Sequence, residues 1–287
     1  MIIVLSTADF SANNIGQISV PRELTAFTKN AIKVSGNTSM TEEQKLALDD
    51  FFINIGASDN SGIFSKLEVL ILPMICTDVT KAFTNFKDNS VIPLSSTSFK
   101  LQNHGLKSID SSVIPGFPIS RGLKNSCMMI YNTELYDNSE TRDFAGVGIG
   151  EFSGNNFAGF RTTVIAGKKE LIDRTYIFGN VYISCSPSTA TCNTFKGMIA
   201  KSFRDSKVSA NYAGILIEKT LSEEEISAYS NTLEKIFKPF VALPAGISNQ
   251  YTPAGGAASF GAELTNEEMQ LYSDSLDNLF NAFSNNK

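Results

Sequence analysis

From residue 67 to residue 218 the sequence alternates short apolar, β-branched and aromatic runs with clusters of Gly, Asn, Ser and Pro, and this punctuation limits the fold more than any other feature. Candidate strands cover 67–76, 97–102, 126–132, 144–150, 157–166, 175–184, 194–201 and 210–218. Runs of this length between turn signals are strands, because a helix needs a longer stretch of 3.6-residue periodicity to bury a face. "GKK" at 167–169 supplies a Gly-containing turn for a hairpin between two of them. No long helical pattern separates one run from the next, which argues against βαβ units and for an antiparallel sandwich. The expected fold class is therefore mainly β.

Helical signals flank this region. Residues 21–36 place Pro21 at a first helical position, Leu24, Phe27, Ile32 and Val34 at roughly helical spacing, and Gly36 as a stop. Residues 41–56 offer Thr41 as N-cap, acidic residues in the first turn and Gly56 at the end. After the last strand, "LSEEEISAYSNTLEKIFKPF" at 221–240 is echoed by "LTNEEMQLYSDSLDNLFNAF" at 264–283. Each copy opens on Ser222 or Thr265 with Glu225 or Glu268 three residues on, the pattern of a capping box. Each also carries one apolar stripe: Ile226/Met269, Tyr229/Tyr272, Leu233/Leu276, Ile236/Leu279 and Phe237/Phe280. Both copies are read as helices, and the stretch between them, rich in Ala, Gly, Pro and Ser, as a tether too poor in large apolar residues to hold a core.

Large apolar side chains are worth roughly 1.5–3 kcal/mol each when buried, so the terminal stripe must be covered. Met269, Tyr272, Leu276, Leu279, Phe280 and Phe283 are thus expected to form an interface. Two seats are open: another subunit or partner protein, or the chain's own N-terminal helices. The length of the tether tilts the expectation toward the first.

At 287 residues the chain is long enough to bury a core without disulfides or metals. A net charge of -5 offers no positive field for phosphates, so nucleic acid is not an expected partner. No stretch approaches the roughly 20 apolar residues of a membrane span. "MIIVLSTADF" lacks a basic n-region and reads as an arm able to insert into a neighbour, in a protein made in a cytoplasm. Cys76, Cys127, Cys185 and Cys192 form no CxxC pair and have a single histidine, His104, beside them, so neither a metal nor a cofactor is expected. Cys185 and Cys192 bracket "SPSTAT" and are read as free thiols rather than a bridge.

Catalytic signals are weak. Glycoside hydrolysis needs two converging carboxylates, whereas Glu151 and Asp173 are isolated and "ETRD" at 140–143 is loop-like. His104 in "LQNHGLKS" reads as a turn residue, and "GVGIG" at 146–150 as a small-residue strand, not a phosphate loop. No catalytic residue is expected. The best local offer to a sugar is "EFSGNNF", with Phe152 to stack and Asn155 and Asn156 to bind hydroxyls. The same letters are ordinary hairpin vocabulary, and Trp, a favoured platform, is absent from the chain.

"NYAGILIEKTLSEEEISAYSNTLEKI" resembles the end of concanavalin A-like or laminin G-like jelly-roll domains, the matching positions being Gly214 to Ile217 for the last strand and Leu221, Ser222, Glu225 and Ile226 for the helix start. "NSCMMIYNTE", "FAGFRTTVIAGKKELIDR" and "YIFGNVYISCSPS" fit the strand succession of such domains, so the resemblance covers about 64–240. It implies a jelly-roll sandwich. The order "ADFSANNIG", "TEEQKLALDDFF", "IFSKLEVLILPMIC" is similar to virion proteins of tailed phages that infect gut Bacteroidales, the crAss-like group included.

Together these imply an N-terminal arm and two helices over 1–62, a jelly roll with closing helix over 63–240, a flexible linker over 241–263 and a docking helix over 264–287. The function implied is a non-catalytic structural subunit of a phage particle, in a capsid decoration, fibre or tail. It would contact itself as a homo-oligomer, a trimer being one candidate, and other virion proteins. Its place is the virion, after synthesis in the host bacterial cytoplasm. The alternative is an adhesin that binds host surface glycans through the jelly-roll loops.

Overall fold

The computed structural model describes residues 22–92, 94, 96, 98–108, 116–134, 142–150, 157–165, 170–177, 181–184, 196–228, 235–239, 250–251 and 254–285. Three helices come first: α1 (Ala26–Ser35), α2 (Glu42–Asn54) and α3 (Gly62–Lys66). They lead into β1 (Leu67–Ile71), 3-10 turns at Pro73–Ile75 and Val79–Lys81, and a small ribbon of β2 (Thr84–Asn85) and β3 (Ser90–Val91). β4 (Phe99–Gln102), β5 (Gly105–Ser108), β6 (Phe117–Pro118), β7 (Ser126–Asn132), β8 (Arg142–Gly150), β9 (Phe157–Ile165), β10 (Glu170–Ile177) and β11 (Val181–Ser184) follow. The chain continues through β12 (Gly197–Arg204), β13 (Lys207–Tyr212), β14 (Ile215–Thr220), α4 (Glu223–Ala228), β15 (Ile236–Lys238), β16 (Gln250–Tyr251), β17 (Gly255–Ala262) and α5 (Asn266–Ser284).

The strands form two large sheets. In the first the order is β14-β13-β12-β7-β17, and on the far side of β17 lie β1, paired at Ala258 to Gly261, and β5, paired at Gly255 and followed by β4. In the second the order is β11-β10-β9-β8-β15-β6, with β16 running parallel to β8. The architecture is the mainly antiparallel sandwich with flanking helices that the strand punctuation implies. β7 keeps its expected limits, and β9 pairs with β10 as the hairpin reading requires, Ile165 opposite Glu170. Residues 167–169 lie outside the described residues.

The first sheet is apolar on both faces, which is why β7, β12 and β17 show almost no polar alternation. Met128 and Ile130 of β7 point with Phe203, Phe260, Phe117, Ile149 and Phe237 into the core between the sheets. Their neighbours Cys127, Met129 and Tyr131 point the other way, into a second core shared with Leu48, Phe51 and Phe52 of α2. The molecule therefore stacks helices, first sheet and second sheet.

The N-terminal helices are held by Asp49, whose side chain is 1% exposed. Its Oδ1 accepts from Thr25 N at 2.9 Å, Thr25 Oγ1 at 2.7 Å and Thr28 Oγ1 at 2.7 Å, while Arg22 donates to Oδ2. Thr25 is the N-cap of α1, so one carboxylate on α2 fixes where α1 starts. The expected start at Pro21 is thus corrected to Ala26; Gly36 does end the helix, at φ 71°. Burial alone would raise the Asp49 carboxyl, but the hydrogen bonds from Thr28, Thr25 and Arg22 outweigh it and hold it below its ordinary value. A depressed carboxyl stabilises the fold above its unfolded pKa of about 4, and that contribution is lost as pH falls through the lower folded value. Asp49→Ala is expected to cost about 2–3 kcal/mol at neutral pH by orphaning these donors. Denaturant titrations at pH 7 and in acid will show a difference between the two proteins that shrinks below about pH 4.

Three expectations about the C-terminal third are corrected. The tether is the first: Gly255–Ala262 is a strand in the first sheet, with β7 on one side and β1 on the other. Its small residues are required by close packing, since a Cβ on Gly256 would meet Thr133 Cγ2 at 2.5 Å and one on Gly261 would meet Lys66 O at 2.3 Å. The jelly roll therefore does not close at residue 240.

The second correction concerns the repeated segment. Both copies begin with the same capping box, Glu225 N to Ser222 Oγ and Glu268 N to Thr265 Oγ1 each at 3.2 Å, with the reciprocal bonds at 2.8 Å. The first copy then departs from helix: α4 has six residues, and Ile236–Lys238 is a strand between β6 and β8. Pro239 biases Lys238 toward extended backbone, and Ala282 holds the equivalent place in α5. Tyr229 and Leu233 lie outside the described residues.

The third is the docking interface. Met269, Tyr272, Leu276, Leu279, Phe280 and Phe283 are all buried within this chain, against α2 and the helix-facing side of the first sheet. The Tyr272 ring stacks on Phe51 at 6.2 Å. Docking on another molecule is overturned because β7, β12 and β17 present a second apolar face that needs this helix as its cover. The arm at 1–10 and Cys185 and Cys192 lie outside the described residues. No helix among the described residues is long and apolar enough to cross a membrane.

Candidate functional site

β4 and β5 are joined by a two-residue turn, Asn103-His104, with φ of 49° and 58°. Positive φ at both central positions matches the right-handed twist of the flanking strands, and asparagine accepts it readily. Beside this turn the chain opens a cleft of about 240 Å³ lined by Pro73, Met74, Cys76, Thr77, Leu101 and the segment from Gln102 to Gly105. One wall is apolar and comes from the 3-10 turn after β1. The other carries amides and an imidazole.

The amide wall is held from beneath by Glu134, which is 8% exposed. Its Oε1 accepts from Gln102 Nε2 at 3.1 Å and from Asn103 Nδ2 at 2.6 Å. Oε2 accepts from Ala254 N at 3.2 Å, with Lys107 Nζ 3.9 Å away. Both amide nitrogens are committed to the carboxylate, so the amide oxygens turn away from it as acceptors. Cys76 completes the cleft as an inert group: its thiol points to the carbonyls of Leu72 and Lys81, each at 3.6 Å, and burial, with the Asp78 charge adding to it, pushes it up to about 12. Such a thiol does not act as a nucleophile near neutral pH.

Beneath His104 the site meets α5. The imidazole stands edge-on to Phe280 with centroids 6.3 Å apart. Phe280 is flanked in turn by Tyr131 at 5.7 Å and by Lys196 Nζ 4.3 Å from its centroid. Tyr131 donates to Asp277 Oδ1 at 2.6 Å; burial, reinforced by that carboxylate, raises the phenol so that it stays a donor. Burial also raises Asp277, an effect that the Tyr131 bond and Lys196 oppose and Asp274 adds to.

Phe152, Asn155 and Asn156, the sugar-binding candidates read from sequence, lie outside the described residues, as does Glu151. Phe280 reappears as the support of His104 rather than as an interface residue. His104 is at a turn, as read. Sequence reasoning missed Glu134, Gln102 and Asn103 as a group, because Glu134 is 31 and 32 residues from its amide partners and no local pattern joins them. The signal that was present is "QNHG": two amides and an imidazole before a glycine, between two apolar runs, mark an exposed polar turn.

No protein-family model and no curated protein sequence matches this chain. Solved structures with a similar fold exist. The CBM40 module of a Ruminococcus gnavus IT-sialidase, bound to α2,6-sialyllactose, is 13% identical and aligns over 55% of this chain and 96% of its own, with a TM-score of 0.36. The Caenorhabditis elegans galectin LEC-6 is 7% identical over 58% of this chain and 99% of its own, at 0.30. A Trypanosoma rangeli sialidase in complex with 2,3-difluorosialic acid is 11% identical and reaches 0.50 over 83% of this chain; this chain spans 39% of that enzyme's length. The likeness is one of fold alone: a mainly antiparallel β-sandwich.

Proposed function

We propose that this chain is a non-catalytic, glycan-recognising sandwich displayed on a phage particle. The observation that carries the glycan reading is the cleft beside the β4–β5 turn, where the amide groups of Gln102 and Asn103 are fixed by a buried carboxylate next to an apolar wall. Sugars offer hydroxyl donors around a ring with apolar faces, and rigid acceptors beside an apolar surface bind them without an ordering cost at the moment of binding. The non-catalytic part is supported by Glu134, whose two oxygens are both engaged by protein donors behind the amide wall, and by the described residues lining the cleft, none of which is a carboxylate. The placement on a phage particle is supported by the order of the N-terminal segments. Assembly through α5 is not part of this reading.

The test is a glycan array of bacterial capsular polysaccharides with sialylated and neutral oligosaccharides, followed by calorimetry on the sugars retained. Wild type is expected to bind a subset, and Gln102→Ala to lose affinity about tenfold, the size of one good hydrogen bond. Gln102 is chosen because it lies in a strand and its truncation strains no backbone. Its melting temperature should fall by no more than a few degrees, because Glu134 Oε1 loses one donor but keeps the bond from Asn103 Nδ2. Failure of the wild type to bind any glycan at millimolar concentration overturns the reading.

A further inference from the structure

β14 closes the first sheet on one side, and among the described strands none pairs with its outer edge. Such an edge offers a row of backbone donors and acceptors to any strand that fits, and folded proteins usually blunt it with proline, a bulge or charge. β14 has neither proline nor bulge: its register with β13 runs unbroken from Ile215 opposite Tyr212 to Thr220 opposite Lys207. Its charges lie in one half. Glu218 accepts from Ser209 Oγ and Asn266 Nδ2, each at 3.1 Å, and Lys219 Nζ donates to Glu225 of α4 at 2.6 Å. The other half, Ile215-Leu216-Ile217, is apolar and unguarded. Ile215 is 44% and Leu216 40% exposed, the only adjacent pair of large apolar residues left this open among the described residues. Ile217 is partly buried against the core between the sheets.

We propose that this edge is a homodimer interface, in which the β14 strands of two copies pair antiparallel across a two-fold axis and join their first sheets into one. A second copy is the occupant because one register of the strand against itself sets apolar residues opposite apolar ones on both faces. An axis normal to the sheet places one residue opposite its own counterpart, and that residue fixes the register. With Glu218 on the axis, like charges face each other. With Ile217 there, Leu216 meets Glu218 and Ile215 meets Lys219. With Leu216 on the axis, Leu216 meets itself on one face and Ile215 meets Ile217 on the other. Glu218 then passes Gly214, which has no side chain to oppose it. β4 and the cleft beside it stand at the opposite end of the sheet order, so this pairing leaves the cleft open in both copies.

The test measures mass by light scattering and sedimentation from about 5 to about 500 µM, a range that spans weak and moderate association. Wild type is expected to pass from monomer to dimer. Ile215→Lys and Leu216→Lys, each at an exposed position, are expected to weaken association at least about tenfold, and to melt within about 2 °C of wild type when all are dilute. Crosslinking reads the register. Residues directly opposite in an antiparallel pair have Cα atoms about 4.5–5.5 Å apart, within reach of a disulfide. Leu216→Cys is therefore expected to give a covalent dimer under mild oxidation, and Glu218→Cys, whose two copies lie on far sides of the axis, is not. Wild-type protein carried through the same oxidation accounts for the native thiols. A wild type that stays monomeric across the range overturns the proposal. So does a dimer that both lysine variants form as readily, since another surface then holds it, and so does crosslinking of Glu218→Cys in preference to Leu216→Cys.

Discussion

Deletion of residues 264–287 is expected to abolish folding, not to release a competent subunit from its partners. The six large side chains of the α5 stripe are each at most 3% exposed. At roughly 1.5–3 kcal/mol apiece they contribute about 9–18 kcal/mol, as much as the whole net stability of an ordinary domain. Their removal would also bare Phe51 of α2 and Met129, Tyr131 and Met198 of the first sheet, and leave Ser202 without the Leu264 backbone it bonds in both directions. The variant should accumulate as insoluble protein, or as a species without a cooperative melt by circular dichroism. A graded pair checks the cause: Leu276→Ala, at a fully buried position, should cost about 2–5 kcal/mol. Leu271→Ala, at 44% exposed on the same helix, should stay within about 0.5 kcal/mol. A truncated chain that melts cooperatively near the wild-type temperature would show that α5 is an accessory and return the docking reading to force.

The sequence made the local parts of this structure readable and left the non-local parts hidden. The limits of β7 and the capping boxes at Ser222 and Thr265 depend on residues within one turn or one strand, so pattern and chemistry suffice. Two segments with matching stripes took different structures because the decision lay outside the stripe. Phe237 is drawn into the sheet by Phe117 and Ile149 on either side and stacks on Phe260 at 5.5 Å, whereas Phe280 meets Tyr131 across a helix–sheet contact. The cleft was half visible. "QNHG" announced a polar turn, but the carboxylate that orients it arrives from the end of β7, and the apolar wall from the turn after β1. Residue spacing carries no record of such meetings.

Gly261→Ala is the second large effect, and it tests the strand that composition disguised as a tether. Gly261 stands opposite Leu67 of β1 on one side and Cys127 of β7 on the other. A methyl group there would lie 2.3 Å from Lys66 O, 2.7 Å from Leu67 Cα and 2.9 Å from Lys66 C. All three are backbone atoms, so no rotamer change relieves the clash; β1 must move away. β1 cannot move freely, because Val69 and Ile71 are buried between the sheets while Leu67 and Leu70 are buried under the helices. The ordinary gain of about 0.5–1 kcal/mol for alanine over glycine in a strand is therefore reversed, and overpacking should cost about 3 kcal/mol or more. For a domain of this size that lowers the melting temperature by about 6–12 °C. Gly122 is the control: a Cβ there meets nothing within 4 Å, and Gly122→Ala should melt within about 2 °C of wild type. If Gly261→Ala melts with the wild type as well, then β17 is not wedged between β7 and β1. Residues 255–262 would then be the loose linker that their composition suggested, and the double-faced sheet on which both α5 and the cleft rest would have to be redrawn.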